Sequence, residues 1–103
     1  MFYTYILRSI NHPDQRYIGS TADLRKRIAA HNDGRVPHTA KYRPWKIETY
    51  IAFETEERAR AFEIYLKSGS GHAFAKRHFW FRLKTAVFSL KSLSLSLPRA
   101  VTI

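Results

Sequence analysis

Two tyrosines in neighbouring extended segments are the first groups in this chain that could do chemistry. Tyr5 belongs to Tyr3-Thr4-Tyr5, and eleven residues separate it from Tyr17, which opens Tyr17-Ile18-Gly19. Asn11-His12-Pro13-Asp14 supplies turn chemistry between Phe2 to Arg8 and Arg16 to Ser20, two stretches rich in aromatic and β-branched residues, so the pair reads as a hairpin. A turn around Asn11 predicts Tyr5 approximately opposite Tyr17. Side-chain alternation then puts Tyr3, Tyr5 and Leu7 on one face with Tyr17 and Gly19, where two phenols could converge. Gly19 leaves room there for a ligand or a following helix. Ordinary cross-strand packing gives the same pattern, so the pair alone does not define a site.

Arg27 and His31 stand four residues apart on the next helical stretch and therefore share a face. The planar guanidinium fork suits a phosphate, and an imidazole can relay a proton near neutral pH. Set against this, Arg25, Lys26 and Arg27 also read as a solvated basic face, and His31 as a helix-end residue. Glu63 is the last acidic residue in the sequence and could hold a hard cation, because magnesium takes few protein ligands and keeps its waters. Arg60 and Lys67 flank it at helical spacing, which also describes an exposed ion-pair ladder.

The elements that must position these groups follow from periodicity. Ser20 or Thr21 is placed to cap a helix with Asp23 in its first turn, and Leu24, Ile28 and His31 recur until Asn32-Asp33-Gly34 stops it. Arg35 to Pro44 is polar and turn-prone. Trp45 to Phe53 alternates as a third strand expected to join the hairpin. Thr55 caps a second helix from about Glu56 to Lys67, with Ala59, Phe62 and Leu66 as its apolar stripe. Ser68-Gly69-Ser70-Gly71 is read as a break before a basic-aromatic helix through Ala73, Phe74, Arg77, Phe79, Trp80 and Leu83. Phe88 to Leu97 changes character to a Leu/Ser alternation, so the expected organisation is one domain over 1–84 with an appended tail over 85–103.

The 103 residues carry 18 Lys and Arg against 8 Asp and Glu, a formal net charge of +10. Such a surface points to a polyanion as partner. Neither a long apolar run nor a clean amphipathic helix supports a membrane reading. There is no Cys, so thiolate metal sites and disulfides are excluded and any metal must sit on oxygen or imidazole. An intracellular, cytoplasmic setting close to the nucleoid is the expectation.

Taken together, Tyr3-Thr4-Tyr5, Tyr17-Ile18-Gly19, the following Ser20-Thr21-Ala22-Asp23-Leu24-Arg25-Lys26-Arg27, His31 and Glu63-Ile64-Tyr65-Leu66-Lys67 resemble the GIY-YIG nuclease family. The likeness covers the first four fifths of the chain. It implies an α+β sandwich, a small three-stranded antiparallel sheet flanked by about three helices. It also implies a phosphodiesterase that hydrolyses nucleic acid with a single Mg²⁺ or Mn²⁺. By resemblance Tyr5 and Tyr17 line the site, with Tyr17 the favoured base or water-orienting group; Arg27 stabilises phosphate charge, Glu63 binds the metal, and His31 relays a proton or touches phosphate. Two departures stand out. Tyr3-Thr4 occupies the place of the leading Gly-Ile of the family name, and Ser20 stands where some relatives carry Lys.

Nucleic acid, with DNA favoured over RNA, is the expected partner, held by Arg25, Arg35, His38, Lys41, Arg43, Lys76 and Arg77. Tyr42, Trp45 and Trp80 are available for base stacking, though both tryptophans also fit a core. No small-molecule cofactor is implied. A monomer with one metal site is expected to nick structured DNA such as repair or recombination intermediates, with a protein partner as a candidate source of targeting. The alternative is a non-catalytic basic nucleic-acid-binding module that keeps the hairpin without turnover; a basic scaffold or ribosome-associated protein is a further rival.

Overall fold

Phe2–Ser9 forms strand β1, whose aromatic and β-branched residues suit a pleated surface packed on both sides. The structure, a computed structural model, describes residues 1–80. The sequence expectations for Leu83, Lys84 and the segment 85–103 fall outside those residues. Arg16–Thr21 (β2) and Trp45–Phe53 (β3) both pair antiparallel with β1, in the order β2-β1-β3. The central strand is covered twice over, since Thr4, Tyr5, Ile6 and Leu7 are all buried. Tyr5 and Leu7 pack with Trp45, Tyr17, Leu24 and Ile28 on one face. Ile6 packs with Leu66, Ala75, Ile18, Phe62 and Phe74 on the other.

Helix α1 (Leu24–Asn32) and the short turn α2 (Pro37–Ala40) accordingly lie against the Tyr5 face, and α3 (Glu56–Lys67) and α4 (Gly69–His78) against the Ile6 face. This is the α+β sandwich that the resemblance implied. Burial of these apolar side chains is the main stabilising contribution, at roughly 25 cal/mol per Å² of apolar surface removed from water.

The hairpin register differs from expectation by two residues: Tyr5 pairs with Gly19, and Tyr17 pairs with Leu7. The turn centres on His12 rather than Asn11, closed by the Gln15 N–H to the His12 carbonyl at 2.8 Å and the Ser9 N–H to the Gln15 carbonyl at 3.0 Å. An even shift leaves every side chain on its face. Tyr5, Tyr17 and Gly19 therefore still share one, with the two phenols diagonal instead of opposed.

Two local readings are corrected. Neither Ser20 nor Thr21 caps α1; the side chain of Asp23 accepts the Lys26 N–H at 3.1 Å, while the Thr21 hydroxyl accepts the Asp23 N–H and Ser20 is drawn toward α3. Nor does the Ser68-Gly69-Ser70-Gly71 stretch form a four-residue break. Ser68 alone is the joint. Its N–H closes α3 on the Tyr65 carbonyl at 3.0 Å, its hydroxyl accepts the Gly71 N–H at 3.2 Å to start α4, and Gly69 to Gly71 are already helical. The cap of α3 at Thr55 and its bounds agree with the sequence reading.

The segment between α1 and β3 is pinned from several sides. The Asn32 side-chain amide holds both the N–H (2.6 Å) and the carbonyl (3.1 Å) of Trp45, the Trp45 indole N–H donates to the Thr39 carbonyl at 2.9 Å, and the Ser9 hydroxyl donates to the Tyr42 carbonyl at 2.6 Å. These bonds bring Thr39 and Tyr42 against the sheet.

The α3–α4 joint is open to direct measurement. A Cβ on Gly71 would stand 1.7 Å from the Tyr65 carbonyl oxygen, a backbone atom that cannot step aside, whereas a Cβ on Gly69 would meet nothing within 4 Å. Gly71→Ala should lower the unfolding free energy by about 1–3 kcal/mol or more. Gly69→Ala should be neutral or slightly stabilising in the same denaturant titration.

Candidate active site

One cleft of about 390 Å³ is lined by Tyr5, Tyr17, Gly19, Ser20, Arg27, Arg60, Glu63 and Ile64. Its walls come from opposite faces of the sheet: Arg27 from α1, Glu63 from α3, and the two phenols and Gly19 from the hairpin between them. Gly19 is what lets the buried Tyr5 ring reach the cleft. A Cβ there would sit 2.6 Å from the Tyr5 hydroxyl and 2.8 Å from its ring.

Tyr5 is only 1% exposed and its hydroxyl lies 3.0 Å from His31 Nε2. His31 is completely buried, and its Nδ1 lies 2.8 Å from the Thr39 hydroxyl. Thr39 in turn donates to the Val36 carbonyl at 3.3 Å. With that proton committed, the threonine oxygen accepts from His31 Nδ1–H, and Nε2 is left as the acceptor for the Tyr5 O–H. The network thus assigns the tautomer. Burial holds the His31 pKa below its ordinary value, reinforced by the nearby Arg27 cation. Burial and Tyr17 push the Tyr5 phenol well up, with Arg27 pulling the other way. Both groups are accordingly uncharged near neutral pH, and Tyr5 is a donor rather than a base.

Tyr17 is the more open phenol, half-buried, with its ring centroid 6.3 Å from that of Tyr5 and 4.8 Å from that of His31. Arg27 is exposed at the cleft wall one helical turn before His31.

Glu63 is a cleft-facing carboxylate and also one half of an ion pair. It pairs with Lys67 at 2.8 Å, while Arg60 takes Glu56 at 3.6 Å instead. Its other oxygen accepts the Ser20 hydroxyl at 2.7 Å. Burial by itself raises this carboxyl, but the hydrogen bonds from Lys67 and Ser20, with the charges of Lys67 and Arg60, outweigh it and leave the pKa below the ordinary carboxylate value. Glu63 is ionised. Among the described residues no group of three or more His, Cys, Asp or Glu gathers to hold a metal. One charged carboxylate beside an open, cation-lined cleft fits a hard ion that keeps its waters and takes further oxygens from a phosphate.

The expected nucleic-acid contacts are placed less compactly. Arg25, Arg35, His38, Lys41, Arg43, Lys76 and Arg77 are all exposed. His38 lines a second cleft of about 430 Å³ together with Tyr42 and Lys67, and this cleft shares Tyr17 with the first. Arg35 is paired with Asp33 at 2.9 Å, Lys41 lies over the Tyr42 ring, and Lys76 and Arg77 ride on α4 across the sheet from α2. Trp45 is a core residue at 4% exposure, and Trp80 packs beside the Ile6 cluster with Arg16 over its ring. Thr39 escaped the sequence reading because its role depends on a contact with His31 that no local pattern announces. Ser20 entered as a candidate helix cap and as a departure from the family pattern, and Arg60 and Lys67 entered as partners in a ladder, none of them as a group lining a cleft.

Comparison with known proteins agrees with the opening tyrosine triplets. A family model described as the GIY-YIG catalytic domain matches residues 1–77. The structure-specific endonuclease subunit SLX1 of Malassezia globosa is 38% identical over 68 residues, which is 61% of this chain and 15% of that protein. A UPF0213 protein of Streptococcus pyogenes serotype M3 is 35% identical over 66 residues, 63% of this chain and 70% of its own length. The chain therefore spans a small part of the first relative and over two thirds of the second.

Thr39→Val should strand the buried His31 Nδ1–H and cost about 1–3 kcal/mol in denaturant unfolding, with Thr39→Ser retaining most of the stability. Because the native ring resists the proton that the unfolded chain accepts, stability should decline as pH falls below about 6.5, the ordinary imidazole value. Long-range ¹⁵N spectra should show His31 neutral and protonated on Nδ1 at pH 6.5.

Proposed function

The chain belongs to the GIY-YIG family and carries its nuclease domain, and from that premise we propose that it is a metal-dependent endonuclease that nicks structured DNA. The observation that carries this reading is the shared cleft, where two phenols, two guanidinium groups and an ionised carboxylate face one space of about 390 Å³. A formal charge of +10 supports a polyanionic substrate. In this reading residues 1–84 form the catalytic unit and 85–103 an appended tail, working inside the cell.

Hydrolysis of a phosphodiester develops charge on the phosphoryl oxygens and on the leaving sugar oxygen. Arg27 places its donor fork on a non-bridging oxygen and orients the phosphorus for attack. Tyr17, the phenol open to the cleft, orients the attacking water and, after giving its own proton to solvent, accepts the water's proton as the new P–O bond forms, while the bridging P–O bond breaks and the leaving sugar oxygen takes a proton from solvent. Tyr5, kept protonated by burial and donating that proton to neutral His31, positions the Tyr17 ring and presents only an acceptor oxygen toward the reacting centre. Glu63 holds one divalent ion, Mg²⁺ or Mn²⁺, which when bound supplies Lewis-acid polarisation of a phosphoryl oxygen and stabilises the leaving oxygen. One such site engages one strand at a time, so a monomer leaves a nick.

Arg25, Arg35, His38, Lys41, Arg43, Lys76 and Arg77 serve phosphates outside the cleft, in roles that need charge more than geometry. The Malassezia relative is a structure-specific endonuclease subunit, which supports branched DNA as substrate here and a separate protein that supplies targeting.

The test is a panel of end-labelled flap, junction, duplex and RNA oligonucleotides incubated with and without magnesium or manganese. A nick that needs the metal is expected, and Glu63→Ala and Arg27→Ala should each lower its rate by about 10²-fold or more while duplex binding persists. Binding with no cutting of any substrate would instead favour a non-catalytic module. Cutting that survives both substitutions undiminished would remove this site from the reaction.

A further inference from the structure

Both oxygens of the one carboxylate in the cleft already have partners, and the two partners differ in how firmly they are held. Ser20 donates to Oε1 at 2.7 Å from within β2, where the strand fixes its direction. Lys67 donates to Oε2 at 2.8 Å from the last residue of α3, and its side chain is 51% exposed. A flexible four-carbon stem costs little to redirect, and an exposed ion pair of this kind contributes modestly.

Lys67 also lines the second cleft, which meets the first at Tyr17. Its ammonium sits on Glu63, and the residue also borders a cavity walled by Gln15, Arg16, His38 and Tyr42, with no carboxylate among its lining residues. A doubly charged ion attracts the Glu63 oxygens more strongly than an ammonium and repels a cation left beside it. The two cannot share Oε2 without cost, and the ammonium has an open cavity to enter.

We propose that Lys67 is an exchangeable stand-in for the divalent cation: it holds Glu63 in the metal-free protein and, displaced by the metal, turns into the neighbouring cleft to meet a phosphate flanking the cleavage position. The inference rests on the reading of Glu63 as the metal-holding acid. It makes the two ligands interdependent, since metal binding releases a cation for nucleic acid, and nucleic acid that captures this cation clears the carboxylate for metal. Ser20 stays in place throughout and preserves the orientation of Glu63.

Calcium titrations of the full chain by calorimetry, and anisotropy of a labelled flap DNA with EDTA or with calcium, test this without reference to turnover. Lys67→Met should bind calcium about two- to fivefold more tightly than the parent protein, the factor expected for removal of a partly exposed ion pair. Arg60→Met, which removes a cation from the same cleft that has no bond to Glu63, should produce a smaller rise. With EDTA, Lys67→Met should bind DNA only slightly more weakly than the parent protein. With calcium, Lys67→Met should bind several-fold more weakly, with a salt slope smaller by about one. An equal calcium gain in Arg60→Met, or a DNA defect of the same size with and without calcium, would overturn the exchange and leave Lys67 as a general charge or a constant phosphate contact. If Glu63→Gln titrates like the parent protein, the metal reading of the cleft falls and this inference with it. If Glu63→Gln loses calcium but Lys67→Met matches the parent protein, the exchange alone is rejected.

Discussion

The pairing of Tyr5 with Gly19 across the first hairpin is the constraint on which the site depends. Tyr5 belongs to the central strand and is buried as thoroughly as its aliphatic neighbours, yet its hydroxyl must reach both the cleft and His31. Only the missing side chain opposite it provides the passage. Any other residue at 19 would displace the ring, and with it the hydrogen-bonded file of Tyr5, His31 and Thr39 that ties the hairpin to α1 and α2. Because β2 is an edge strand, groups from the two faces of the sheet, Arg27 on one and Glu63 on the other, border a common space beside it.

Electrostatics in this cleft follow from geometry more than from the large net charge. The cations at its walls belong to different layers, and the acid is held ionised chiefly by one hydroxyl and one ammonium, with a smaller contribution from the Arg60 charge. His31 shows the opposite balance: enclosed and next to a guanidinium, it stays neutral and serves as an acceptor. A donor phenol, an uncharged imidazole and a charged carboxylate therefore coexist within one small domain because each has its own depth and its own partner.

Much of this was legible in the sequence wherever a short-range pattern carries the physics. The three strands, the Thr55 cap, the bounds of α3 and the shared face of Tyr5, Tyr17 and Gly19 all follow from alternation, capping chemistry and helical spacing. The register escaped because turn composition locates a reversal without fixing its centre, and a hydrogen bond at His12 moved every pair by two. Asp23 displaced Ser20 and Thr21 as the cap of α1 because Ser20 had a distant partner on α3, which local composition does not reveal. Thr39 was invisible for the same reason: a threonine in a basic loop acquires its role only once Asn32, Trp45 and Ser9 fasten that loop to the sheet.

The joint at Ser68 has a consequence for how such a domain can vary in length. With one residue ending α3 and starting α4, no slack separates the helices. A single inserted residue on the α4 side would rotate that helix by about 100° about its axis, taking Ala75 and Phe74 out of the layer that covers Ile6. Insertions and deletions are therefore barred at this corner. They are tolerated more readily around Asn11 to Asp14, where the exposed loop can change size without disturbing the packed layers.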